Sequence, residues 1–224
     1  MTQNAASSAA NRRHAPAALR NREPIRTVLS QVLPQAGRVM EIGAGTGEHA
    51  VHFAAAFPQI IWQPTDPDPT AVASIAAWSA DVRLPNLLPP LSLDVRSHPW
   101  PSEAGTAVDA VVSINMIHIA PWEACEGLMA GAAEVLRPGG VLFLYGPFKQ
   151  DGQHTAPSNA AFDASLKRLD PRFGVRDLDT VAAQAATGGL TFERAVPMPA
   201  NNLSVVFRKL GGLTAGSCGD GATI

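Results

Sequence analysis

Residues 39–48 read Val39-Met40-Glu41-Ile42-Gly43-Ala44-Gly45-Thr46-Gly47-Glu48, an apolar run that passes into a turn with glycine at every second position. The run predicts a short buried strand, and the glycines let the backbone leave it through conformations that other residues resist. Helical spacing follows through His49, Val51, Phe53 and Ala54 as far as Pro58. Strand, glycine turn and helix in that order open an α/β sheet.

The same alternation extends outward in both directions. Upstream, Ile25, Val28, Leu29, Val32 and Leu33 recur at helical spacing, which predicts a helix over 19–33 with Glu23 and Pro24 near its start and Pro34 ending it. Downstream, 60–65 reads as a strand ending at Asp66, and Pro69 opens a helix to about Trp78. Further strands are predicted at 91–93, stopping at Asp94, at 108–114 and at 141–145. A helix over 122–136 is halted by Arg137-Pro138-Gly139-Gly140. Two polar helices, at about 158–169 and 177–187, precede a strand pair over 190–196 and 203–208. Strands joined by helices of this kind form a parallel, doubly wound sheet covered on both faces. The last two strands have no helix between them, so the final strand of the seven must run antiparallel. Residues 1–18 read as a loose arm, 19–209 as one domain, and the glycine-rich 210–224 as a tail.

Composition narrows the chemistry. The chain has 224 residues, 46% hydrophobic, with a net charge of −2 and a mean hydropathy of +0.05, as expected of a globular protein with its own core. Five arginines crowd the first 26 residues, and the remainder carries 12 basic against 18 acidic side chains. Such a body offers no basic face to nucleic acid. No lysine follows a glycine-rich loop, so a phosphate-binding P-loop is absent. No apolar stretch is long enough to span a membrane. Cys125 and Cys218 stand 93 residues apart, which builds neither a zinc knuckle nor a disulfide framework and suits a reducing cytoplasm. His49 and His52 could share a helix face, but no third ligand accompanies them, so no metal is expected.

The glycine spacing discriminates between ligands. A dinucleotide fingerprint requires glycine where this chain has Glu48, and a carboxylate there would repel a pyrophosphate. The spacing acidic-x-G-x-G-x-G, from Glu41 to Gly47, instead suits a cationic nucleoside without phosphate, whose ammonium group and ribose hydroxyls carboxylates can hold. S-adenosylmethionine has that character. Asp66 and Asp94 end the second and third strands at the same level as the loop, with Asp68 as a second acid after the second strand.

On these residues the chain resembles the class I, seven-stranded S-adenosylmethionine-dependent methyltransferases over roughly 19–209. It is also similar to an uncharacterised methyltransferase-like family in its Arg20-Asn21-Arg22-Glu23-Pro24-Ile25, Asn115-Met116-Ile117-His118, Tyr145-Gly146-Pro147-Phe148, Ser158-Asn159 and Met198-Pro199-Ala200-Asn201-Asn202 segments. The resemblance implies that Glu41 and the backbone of Gly43 and Gly45 meet the methionine part of the cofactor, with Gly47 completing the cofactor-binding loop. It assigns Asp66 to the ribose, Asp94 and the Val95 amide to the adenine, and Asn115 to a flanking position.

Arg20, heading the first helix, either binds the cofactor's carboxylate or is simply solvated. His118 is the candidate base for an acceptor that must lose a proton, with a structural role as the alternative. Tyr145, Asn159, Phe162, Arg176 and Asn202 are the candidate acceptor pocket, although Arg176 has acidic neighbours in Asp163 and Asp177 with which it can pair. Asn115 does not begin an Asn-Pro-Pro-aromatic motif, which argues against a DNA base as acceptor. The expected activity is methyl transfer to O, N or S of a small polar molecule. A silent cofactor-binding protein of the same fold and a nucleotide-dependent oxidoreductase are the rivals.

Overall fold

A computed structural model describes residues 11–100 and 107–211. The expectations for residues 1–10, for the tail beyond 211 and for Cys218 fall outside them. Six α-helices and nine strands occur among the described residues, in the order α1 (Pro16–Val32), β1 (Gly37–Ile42), α2 (Glu48–Ala56), β2 (Ile60–Asp66), α3 (Pro69–Val82), β3 (Leu91–Ser92) and β4 (Val108–Ile114). There follow α4 (Trp122–Val135), β5 (Leu136–Gly146), β6 (Lys149–Gln150), β7 (Gln153–His154), α5 (Pro157–Leu169), α6 (Leu178–Thr187), β8 (Leu190–Met198) and β9 (Asn202–Lys209).

Seven strands form one sheet in the order β3-β2-β1-β4-β5-β9-β8. β9 runs antiparallel to both its neighbours, and the remaining pairings are parallel. The fold is therefore the doubly wound α/β arrangement with an antiparallel last strand that the sequence implies. From β1 the chain works outward to β3 on one side, then crosses back to β4 on the other. The order reverses between β1 and β4, and open α/β sheets bind ligands in the crevice beyond such a reversal.

Alternation along the central strands divides the core in two. Val39, Ala110, Val112 and Phe143 face a cluster with Ile25, Leu29, Phe53 and Trp62. Met40, Ile42, Val111 and Leu142 face one with Leu128, Met129, Val181 and Phe207. Each fully buried leucine or phenylalanine contributes roughly 1.5–3 kcal/mol, so sheet and helices hold each other in place from both sides.

Several elements differ from the expected boundaries. The packed body begins before residue 19: α1 starts at Pro16, Arg13 N–H donates to Ser74 Oγ at 2.9 Å, and Ala15 N–H donates to Glu48 Oε2 at 2.7 Å. Pro24 lies inside α1, where its missing N–H leaves the Arg20 carbonyl without a helical donor. β5 begins at Leu136, pairs with Val108, and bulges outward before Val141 pairs with Ala110. The Arg-Pro-Gly-Gly stretch is thus an interruption within a strand rather than a turn before one. The small β6–β7 hairpin turns at Asp151 (φ 51°) and Gly152 (φ 73°).

Candidate functional site

β1 ends between two partners that clamp its last carbonyls. Thr65 Oγ1 donates to Glu41 O at 2.9 Å and Ser113 Oγ donates to Ile42 O at 3.1 Å. The loop then passes through φ values of 68°, 58° and 90° at Gly43, Gly45 and Gly47, where a side chain is strained. A Cβ on Gly43 would come within 2.8 Å of Met116 Cγ and one on Gly47 within 2.9 Å of Ile75 Cα, whereas one on Gly45 would meet nothing within 4 Å. Gly45 presents bare backbone to open space.

Asp66 supports that backbone. Its Oδ2 accepts the Gly45 N–H and its Oδ1 the Asp68 N–H, both at 2.9 Å. Burial raises its pKa above the usual carboxylate value, and the two amides oppose the rise. Each oxygen keeps a further lone pair for a ligand hydroxyl. Asp68 is occupied elsewhere: its Oδ1 caps α3 by accepting Thr70 N–H at 2.9 Å, and its Oδ2 takes the Thr70 hydroxyl at 2.6 Å.

A cavity of about 370 Å³ lies over this loop, lined by Gly43, Gly45, Asp66, Asp94 and Val95 among others. Arg96 grips Asp94 with two nitrogens, Nη2 to Oδ2 at 2.6 Å and Nε to Oδ1 at 3.0 Å, and holds its carboxyl below the usual range. Arg172 grips Asp170 in the same way, lowering that carboxyl to about 2. Both arginines line the cavity, each neutralised by its own aspartate.

A second cavity, of about 710 Å³, is bounded by α1, the end of β5, α5 and residues 199–202. It gathers Tyr145, Asn159, Phe162 and Asn202, and places Arg20 and Asn115 with them rather than in the smaller cavity. Ile119, 49% exposed, borders both spaces.

Hydrogen bonds orient several groups here. Burial pushes His49 down to about 4, so its ring is neutral, and His49 Nε2 lies 2.8 Å from Asn21 Oδ1. That oxygen can only accept, so the imidazole donates from Nε2. Burial pushes the Tyr145 phenol up, and the neighbouring Asn21 and Asn202 amides oppose the rise. Asn202 Nδ2 donates to Pro199 O at 3.0 Å. The His49–Asn21 bond ties α2 to α1.

Other expected site residues line neither cavity. His118 is fully buried against Phe148; the Arg176 N–H donates to its Nδ1 at 3.3 Å, and its Nε2 has no partner. Burial lowers its pKa to about 3. A Cβ on Gly146 would strike Nε2 at 2.5 Å, so glycine is required there for the ring to fit. In this position the imidazole props the turn after β4 and reaches neither cavity.

Arg176 pairs with neither Asp163 nor Asp177. Its guanidinium donates to the carbonyls of Ile117 (2.9 Å), Ala120 (2.6 Å) and Arg172 (2.9 Å) and lies over the Trp122 ring. It fastens loop 170–176 to the segment after β4. Glu41, 1% exposed beneath the glycine loop, accepts Trp62 Nε1–H at 2.7 Å, and burial raises its pKa to about 8. Gly47 packs on Ile75. Among the described residues no group of three or more His, Cys, Asp or Glu side chains is placed to hold a metal.

Sequence reasoning missed Arg96, Ile119, Arg172 and Phe173 in the smaller cavity, and noted Met116 there and Ser158 in the larger only as parts of family segments. Most stand on loops that only the tertiary fold brings over the strand ends, and spacing along the chain carries no signal for them.

A family model described as a protein of unknown function (DUF938) matches residues 12–209. The chain belongs to that family. Solved structures similar to the DUF938 chain include an O-methyltransferase family protein from Burkholderia thailandensis, with a TM-score of 0.74, 19% identity, and 88% of this chain covered against 58% of the other. A putative O-methyltransferase from Nostoc punctiforme matches with a TM-score of 0.74, 15% identity and coverage of 86% and 56%. Human N-acetylserotonin methyltransferase in complex with SAM matches with a TM-score of 0.67, 17% identity and coverage of 85% and 52%. The DUF938 chain has the methyltransferase fold, over a little more than half the length of these structures.

Proposed function

We propose that this chain binds S-adenosylmethionine in the smaller cavity and directs its methyl group to a small polar molecule in the larger one. The observation that carries the reading is the meeting of the two spaces at Ile119, beyond the point where the strand order reverses. A volume of about 370 Å³ falls within the usual range of small-molecule sites, roughly 300–1,000 Å³. The donors present suit the cofactor: bare backbone at Gly45, free lone pairs on Asp66 and an ionised Asp94.

In this reading Gly43 and Gly45 lie against the methionine part, Asp66 takes the ribose hydroxyls, Asp94 and the Val95 amide meet the adenine, and Asn115 flanks the methionine end. Glu41 and Gly47 act through the shape of the loop. The bound cofactor supplies a methyl group on a positively charged sulfur, with a neutral thioether as leaving group. The chain's own residues orient and enclose the partners, which can provide most of the rate gain for such a displacement. Tyr145 and Asn159 present polar atoms to the acceptor and Phe162 an apolar wall, while His118 and Arg176 support the segment that separates the two ligands.

Calorimetry tests the first half of the proposal. Micromolar affinity for S-adenosylmethionine with none for NAD is expected, and the reverse would point to an oxidoreductase. Asp66→Ala should weaken cofactor binding by about 1.5–3 kcal/mol, and unchanged affinity would move the ribose contact elsewhere. Transfer of label from methyl-labelled cofactor to a small molecule separates an enzyme from a silent binder.

A further inference from the structure

The larger cavity has one charged lining residue, Arg20, and no carboxylate. The smaller cavity differs, because each arginine there is held by its own aspartate. Among the described residues Arg20 forms no ion pair, as is also true of Arg22, Arg38, Arg83, Arg168 and Arg176, but it alone of these lines either cavity; Arg12, Arg13, Arg26, Arg137, Arg194 and Arg208 are each paired with an acid. A guanidinium at the rim of a pocket gives the space a positive potential that no carboxylate among its described lining residues cancels. The groups around it are uncharged: asparagines from α1, α5 and the 199–202 loop, the Ser158 hydroxyl and Tyr145. Asn159 and Asn201 also spend amide nitrogens within the protein, on Asn201 O at 2.8 Å and on Ser158 Oγ at 3.2 Å, so their oxygens are left as acceptors.

We propose that Arg20 receives an anionic group, a carboxylate or a phosphate, on the methyl acceptor, while the asparagine oxygens take its hydroxyl or amine hydrogens. The acceptor is then a small molecule with an acid at one end and O–H or N–H groups at the other. The inference rests on the transferase reading above and adds the charge of the substrate to it. Arg20 is assigned to the acceptor rather than to the cofactor's own carboxylate because it shares its cavity with Tyr145, Asn159 and Asn202, and not with Gly43, Gly45 and Asp66. Its place on α1, which Asn21 ties to His49 of α2, sets where it enters the cavity wall.

The test uses the full chain, methyl-labelled S-adenosylmethionine and a deproteinised bacterial extract separated on an anion exchanger. Labelled product should be retained at neutral pH and elute with salt. Arg20→Gln should label it at least about tenfold more slowly, as expected for loss of a charge-assisted hydrogen bond. Its cofactor affinity should change less than twofold, and Arg20→Lys should recover part of the rate. Inorganic phosphate should inhibit the wild type more than Arg20→Gln. A neutral or cationic product, wild-type labelling by Arg20→Gln, or a loss of cofactor affinity matching the loss of rate would each overturn the assignment. Absence of cofactor binding or of any labelled product in the wild type would instead remove the transferase reading beneath it.

Discussion

Glu41 and His118 are both withdrawn from water, and they respond to pH in opposite senses. The native protein keeps a proton on Glu41 up to about pH 8, while an exposed glutamate releases it near 4.5. Between those values the native state binds more protons than the unfolded chain, so stability falls as pH rises. His118, at about 3, stays neutral where the unfolded chain's histidine charges below about 6.5, so stability falls as pH drops through that interval. Urea unfolding across pH 5–9 should show Glu41→Gln removing a fall in stability that runs from the acid end of that range to about pH 8; an unaltered slope over that interval would exclude Glu41 as its source. For His118→Asn, the expected outcome is a less stable protein whose proposed methyl transfer keeps the wild-type pH profile. Disappearance of a limb of that profile would return His118 to proton transfer. Both residues were legible as polar groups at strand ends, but their burial was not. It depends on Trp62 and Phe148, 21 and 30 positions away along the chain, and spacing does not report such encounters.

The elements carry the same lesson in a different form. Helix and strand order were legible because periodicity records which face of each segment meets the core, as Val39 and Met40 show by entering opposite clusters. Local exceptions were harder. Arg137-Pro138-Gly139-Gly140 has the composition of a turn, yet Leu136 already pairs with Val108, because a bulge lets one strand hold residues that cannot join its ladder. The β6–β7 hairpin did have a signal in its Asp151-Gly152 pair, but two-residue strands leave too short a pattern to read. Loop 170–176 has no pattern at all and depends on Arg176. Arg176→Ala removes bonds to three carbonyls and should increase hydrogen exchange across 170–176 and 117–120. Because Phe173 and Ile119 line the smaller cavity, cofactor affinity should fall about tenfold if the loop becomes mobile, a cost of about 1.4 kcal/mol. Unchanged exchange in both segments would refute the fastening role.

For the molecule as a whole, the fold and the smaller cavity were legible together, since a doubly wound sheet dictates where its ligand crevice lies. The larger cavity was legible only as residue types, because α1 lies more than a hundred positions before β5, α5 and the loop before β9, on which it converges. The N-terminal stretch is part of this assembly. Besides the two amides already described, the Trp78 indole N–H donates to Arg13 O at 3.1 Å. A chain starting at Pro16 should melt about 5–10 °C lower, as expected for losing some three hydrogen bonds of roughly 1 kcal/mol each from a domain of this size. An unchanged melting temperature would show that the stretch lies on the surface without holding it.

Among the described residues Ile119 is the one lining residue shared by two chambers that are otherwise walled by different parts of the chain. Under the proposed reading neither occupant has to traverse the other's compartment, which would uncouple arrival and departure on the two sides. Initial-rate measurements should accordingly yield intersecting lines with no compulsory sequence of addition, and a spent nucleoside should be replaceable while the methylated compound is still in its seat.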